Sequence, residues 1–141
     1  MAKQRKSFKL KNNASELNAL CRKLTQFGDS LGLTKKCVFQ INLALDELFT
    51  NIVTYAYTDD ADHWIKFALS LENGTVVIRV EDSGIPFDPA SVNKPDQAKT
   101  VEDCPVGGLG VHLIRKLVDD VEYRRKGNKN ILTLKKIIQC T

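Results

Sequence analysis

"HWIKFALSLENGTVVIRVED", residues 63–82, decides the architecture of this chain. Apolar side chains fall on alternate positions, at Ile65, Phe67, Leu69 and Leu71, and again at Val76, Ile78 and Val80. Successive side chains of a strand point to opposite faces, so the pattern predicts two strands, each with one buried face. Asn73-Gly74 between them tolerates the positive φ angles of a two-residue turn, which makes the pair an antiparallel hairpin. Its second strand ends at Asp82, and Gly84 follows two residues later.

Upstream, the spacing changes from two to three and four. In "NNASELNALCRKLTQFG" the apolar residues Leu17, Leu20, Leu24 and Phe27 mark one face of a helix, with Asn13 and Glu16 as a capping-box start and Gly28 as the stop. A longer helix begins near Thr34 and carries Val38, Ile41, Leu45, Leu48 and Ile52 on one stripe, running to about Tyr55. The alternating segment "SFKLK" ahead of both reads as a strand.

Downstream, residues 83–106 show no sustained periodicity, and so long an irregular loop within a compact domain is usually functional. Beyond the glycines that close it, Ile114, Leu117, Val118 and Val121 predict a third helix, and "VEYRRKGNKNILTLKK" reads as two strands joined around Gly127-Asn128. Strand, helix, helix, two strands, loop, helix, two strands is the order of an α/β (α+β) two-layer sandwich. The expectation is a mixed, mostly antiparallel sheet with helices on one face, in a single domain over residues 1–141.

Composition narrows the function classes. The chain has 141 residues, 43% of them hydrophobic, enough for one domain with a buried core. Its net charge of +4 comes from 21 basic and 17 acidic residues spread along the sequence, so no direct nucleic-acid contact is expected. No apolar run is long enough to span a bilayer, and "MAKQRKSFKL" lacks the apolar centre of a signal peptide; no membrane partner and a cytoplasmic location are expected. Cys21, Cys37, Cys104 and Cys140 show no C-x-x-C spacing, and His63 and His112 have no second ligand at metal spacing, so reduced thiols and structural histidines are the reading.

Three stretches carry chemistry. In "CPVGGLGVHLIRKLVDD" Gly107, Gly108 and Gly110 precede a helix, whose free backbone N–H groups favour an anion. No Lys-Ser or Lys-Thr follows them, so this is not a P-loop, and Leu113 occupies the third glycine position of the dinucleotide fingerprint. Taken alone the loop is equally a hinge or a phosphate site. In "LALDELFTNIVTYAY" Glu47 and Asn51 are four residues apart and share a helix face, where a carboxylate and an amide oxygen suit Mg²⁺ or position a nucleophile. Their neighbour Asp46 is read as facing solvent or capping. In "VEDSGIPFDP" Asp82 sits at a strand end where it can accept from an exocyclic amine, while Gly84 permits a sharp turn and the approach of a flat ring.

Together and in this order, "ALDELFTNIVTYAY", "VEDSGIPFDP" and "GGLGVHLIRKLVDDVEYRR" resemble the GHKL ATPase superfamily with its Bergerat ATP-binding fold, and within it the bacterial anti-sigma-factor serine/threonine kinases. The resemblance covers the chain from about Phe8 to Lys136. It implies ATP and Mg²⁺ as cofactors. Asn51 would hold the metal, Glu47 would be the general base and Asp82 would meet the adenine amine, with Gly84 making room for the ring. Gly107, Gly108 and Gly110 would wrap the phosphates at the end of an ATP lid over residues 91–108, to which Lys94 and Lys99 add basic groups. Thr133 would support the aspartate.

The resemblance further implies phosphorylation of a Ser or Thr on a STAS-domain anti-sigma-factor antagonist, sequestration of a sigma factor as second partner, and a homodimer, which members often form. The alternative reading is a non-catalytic ATP-binding anti-sigma or signalling adaptor. Pro86 and Tyr55 depart from the family pattern beside the base and phosphate sites.

Overall fold

The computed structural model describes residues 4–86 and 114–138. Five strands, β1 (Gln4–Lys11), β2 (Trp64–Glu72), β3 (Thr75–Asp82), β4 (Asp120–Lys126) and β5 (Lys129–Ile137), form one sheet in the order β1-β2-β3-β5-β4. Two helices, α1 (Leu17–Leu31) and α2 (Lys35–Asn51), lie between β1 and β2 in sequence. Every strand pairing among the described residues is antiparallel, where the sequence led to a mixed, mostly antiparallel sheet. The reason is topological: β5 inserts between β3 and β4, so the crossover that returns the chain to β4 makes no parallel contact with β3.

The 63–82 hairpin forms as its alternation requires. Asn73 and Gly74 take φ values of 53° and 77°, and Val76, Ile78 and Val80 are 1% exposed. Gly127, with φ 60°, turns the β4–β5 hairpin in the same way. Val121, assigned from its spacing to the third helix, lies in β4 opposite Leu134 instead. Residues 114–117 are helical and Ile114 is fully buried, so the helical stripe is real but ends one turn earlier.

Helix α1 runs through Gly28, its expected stop, to Leu31, and Gly32 caps it in the left-handed region at φ 72°. Gly28 serves packing instead: a Cβ there would lie 2.5 Å from Val38 Cγ2 on α2. Asn13 does cap the chain's entry, accepting from Ser15 N–H, but at a 3₁₀ turn over Ala14–Glu16 ahead of α1. Thr34 caps α2, its hydroxyl accepting from Cys37 N–H at 3.1 Å. Both helices bury their stripes against one sheet face, around Phe67, which stacks on Phe8 at 5.0 Å between ring centroids and meets Phe49 at 6.1 Å. The opposite face carries a shallow concavity lined by Ser7, Lys9, Lys66, Ala68, Arg79 and Glu81.

Candidate functional site

At the end of α2 the buried stripe takes in a polar residue. Asn51 is 3% exposed, and its Nδ2 has no hydrogen-bond partner among the described residues. Glu47, one helical turn earlier, is half-buried. Asp46 is half-buried, where its sequence position led one to expect a residue facing solvent or capping a neighbour. Its Oδ1 is buried without a partner, and burial, then the charge of Glu47, pushes its carboxyl above the ordinary value. An amide donor left unpaired inside a fold is costly unless a ligand or water satisfies it.

After Asn51 the helix widens into a π turn over Ile52–Ala56. Such insertions are frequent at functional sites. The turn is stitched to the end of β3 at two points: Ile85 N–H donates to the Ala56 carbonyl at 2.8 Å, and Ser83 N–H donates to the Tyr57 hydroxyl at 3.0 Å. Gly84 is required by this closeness, since a Cβ on it would fall 2.3 Å from the Ala56 oxygen. It is not among the left-handed glycines, so the sharp turn expected from the sequence is not its reason. Ala56, rather than a ligand ring, occupies the space that the missing side chain leaves.

Asp82 is 6% exposed, on the same face as Ile78 and Val80. Its Oδ1 accepts from Gly84 N–H and from Asn130 Nδ2, both at 2.9 Å. A carboxylate offers about four lone-pair sites, so two donors leave capacity for a ligand N–H. Burial raises the Asp82 carboxyl above its ordinary value; the bonds from Asn130 and Gly84 and the charge of Arg125 pull it back, and Glu81 adds a smaller push upward.

The partner that the sequence reading supplied for Asp82 is corrected. Thr133 pairs with Arg79, an odd number of residues from Asn130, and so lies on the other face of the sheet. Asn130 stands directly opposite Asp82 in the β3–β5 register and is itself 4% exposed. It also donates to the Ile85 carbonyl at 2.8 Å and accepts from Tyr123 Oη at 2.6 Å and Arg125 Nη1 at 3.1 Å. Arg125 Nη1 donates to the Gly84 carbonyl as well, at 2.8 Å. Sequence reasoning missed Asn130, Arg125 and Tyr123. The available signal was parity: Asn130 is a polar residue in phase with the buried Leu132 and Leu134.

A second polar cluster lies nearby. His63 stacks on Tyr57 at 4.0 Å between ring centroids, and its Nε2 lies 2.7 Å from Asp59 Oδ1. That contact, followed by the Ala61 N–H, holds the Asp59 carboxyl below its ordinary value. Gly107, Gly108 and Gly110, the 91–108 lid with Lys94 and Lys99, Cys104, Cys140 and His112 lie outside the described residues. Cys21 and Cys37 are free thiols, as expected. No helix among the described residues is long and apolar enough to cross a membrane.

A sheet with helices on one face, and a buried carboxylate at the strand end stitched to a helix bearing an inward Asn, define a GHKL-type ATPase domain. The family model described as a histidine kinase-like ATPase domain matches residues 10–136. The chain belongs to that family. It is 31% identical over 121 residues to the serine-protein kinase RsbW of Bacillus cereus, covering 82% of this chain and 75% of that one. It is also 31% identical over 96 residues to the serine/threonine-protein kinase BtrW of Bordetella bronchiseptica, covering 68% of each. Among solved structures, the RsbU and RsbW domains of a Mycobacterium tuberculosis protein superimpose with a TM-score of 0.66 at 15% identity. That match covers 95% of this chain but spans only 32% of the other, and supports the fold alone.

Proposed function

We propose that the protein is an ATP- and Mg²⁺-dependent serine/threonine kinase that acts as an anti-sigma factor by partner switching. Its substrate is a Ser or Thr on a STAS-domain antagonist, and a sigma factor is the competing partner. The observation that carries the reading is Asp82: a buried carboxylate, braced by Gly84 and Asn130, at the strand end that the π turn ties to Asn51. The kinase names of the relatives, at 31% identity, support the same class.

Each residue has a role that its position suits. Asp82 accepts from the adenine amine. Asn51 would offer an amide oxygen to Mg²⁺, and its N–H, unpaired among the described residues, would be available to a phosphate oxygen. Mg²⁺ is held by few protein oxygens alongside phosphates and water, and an Asn with a carboxylate one turn away fits that demand. When bound, the ion neutralises charge on the phosphates. The described residues hold no cluster of three or more His, Cys, Asp or Glu that would suit a metal caged by protein alone. Glu47 takes the proton of the attacking hydroxyl as its oxygen bonds to the γ-phosphorus and ADP departs. Positioning and charge neutralisation do most of the work in such transfer. Gly107, Gly108 and Gly110, which lie outside the described residues, take the role of contacting the phosphates.

The test is incubation with γ-labelled ATP, Mg²⁺ and a STAS-domain antagonist. Label on a serine or threonine of the antagonist, lost in Glu47→Ala, is the expected result. No label on the antagonist with the native protein, together with ATP binding and partner regulation that survive Glu47→Ala, would instead establish the adaptor.

A further inference from the structure

Arg125 and Tyr123 sit on β4, an edge strand one place removed from Asp82, yet both reach its surroundings through a single amide. Asn130 has one orientation that satisfies these four contacts: Oδ1 toward the donors Tyr123 and Arg125, Nδ2 toward the acceptors Asp82 and Ile85. Tyr123 and Arg125 thereby fix which end of Asn130 faces the carboxylate. A flipped amide would set oxygen against oxygen at Asp82. The same Arg125 nitrogen grips the Gly84 carbonyl, so one guanidinium holds both groups that donate to Asp82 Oδ1.

Among the described residues, the other charges near Asp82 do not compete for this role. Glu81 points to the opposite face, where Lys129 and Lys66 lie 3.2 and 3.9 Å away. Tyr57 is engaged with Ser83.

We propose that Arg125, working through Asn130 with Tyr123, is the positioning residue that keeps Asp82 an acceptor and so sets the preference for a purine bearing a 6-amino group. This rests on the reading that Asp82 meets the adenine amine. Arg125 is half-buried on an edge strand, where its replacement leaves the apolar core intact. Two consequences separate positioning from mere support. Losing the guanidinium removes a nearby positive charge, so the pH below which nucleotide binding fails moves upward. It also loosens the carboxylate, so binding of a nucleotide with the amine suffers and binding of one without it does not.

The experiment measures the affinity of the full chain for ATP and for purine riboside triphosphate, which lacks the 6-amino group, across acidic to neutral pH. It compares the native protein with Arg125→Met, Arg125→Lys and Asp82→Asn. Arg125→Met is expected to weaken ATP about tenfold, the loss of one charge-assisted contact, to leave purine riboside triphosphate unchanged, and to move the acid limit upward. Arg125→Lys, retaining charge without the planar fork, is expected to keep the acid limit while recovering only part of the preference. Equal weakening of both nucleotides in Arg125→Met, or an unmoved acid limit, would overturn the role of Arg125. Undiminished preference for ATP in Asp82→Asn would overturn the adenine reading beneath it.

Discussion

Adjacent rungs of one ladder show the division of labour in this domain. In the β3–β5 register Ile78 faces Leu134, Val80 faces Leu132 and Asp82 faces Asn130, all on the same sheet face and all less than a tenth exposed. The first two pairs withdraw apolar surface from water, which stabilises whatever lies next to them. The third places a carboxylate and an amide in the same environment, where each must be satisfied bond by bond. Identical backbone geometry thus yields a rung whose worth is area and a rung whose worth is direction. The polar rung needs Gly84, Tyr123 and Arg125 as well, and the apolar rungs need nothing outside the core.

That contrast breaks most readily at its apolar end. Leu134→Ala removes a fully buried side chain and is expected to cost about 3–4 kcal/mol in urea unfolding, with the ATP affinity of the folded fraction unchanged. Asp82→Asn should do the reverse. Calorimetric titration is expected to show ATP binding weakened about 100-fold, roughly 2.7 kcal/mol, without loss of folding.

Its stability effect carries a sign. Burial raises the Asp82 carboxyl in the folded state, so the folded protein binds more protons in the interval between the unfolded and folded values. Stability therefore falls as pH rises through that interval, and the deficit persists above it. Asp82→Asn does not titrate, and its melting temperature at neutral pH is expected to equal or exceed that of the native protein, with the advantage vanishing in acid. A native protein that gained stability from Asp82 at neutral pH would refute this.

Smaller substitutions sharpen the comparison. Tyr123→Phe removes one donor to Asn130 and should weaken ATP by about 1 kcal/mol while leaving the apolar rungs and the melting temperature nearly untouched. Thr34→Ala deletes the α2 cap, which shares no hydrogen bond with the polar rung, and is expected to cost about 1 kcal/mol of stability with no effect on nucleotide binding. A nucleotide effect from Thr34→Ala would mean that the helix start, and not the polar rung, governs the site.

The apolar rungs were legible and the polar rung was half legible, for the same reason. Periodicity reports area: the alternation in 63–82 and the three-four spacing after Thr34 named nearly every buried aliphatic of β2, β3 and α2. Direction is a matter of pairing across 48 residues, which no local pattern encodes. Asp82 stood out because a turn followed it, but its partner could be found only with the β3–β5 register, and Thr133 failed by lying on the wrong face. Gly28 and Gly84 failed in a related way. Both read as punctuation in the sequence, and both are points where another segment, Val38 or Ala56, comes within the reach of a side chain.

The π turn at Ile52–Ala56 can be viewed as a phase shifter. One extra residue in a helix rotates everything beyond it by about 100°, the angle per residue implied by 3.6 residues per turn. Upstream of the shift the helix is in phase with the core, as Leu45, Leu48 and Phe49 show; downstream it is in phase with the strand end, where the Ala56 carbonyl meets Ile85. The chain thus carries two rotational settings in one continuous helix. Its most sensitive lesion at this point would be a change in count: deleting one residue between 52 and 56 would turn the Ala56 carbonyl away from the end of β3 and displace the buried Ala56 from the core.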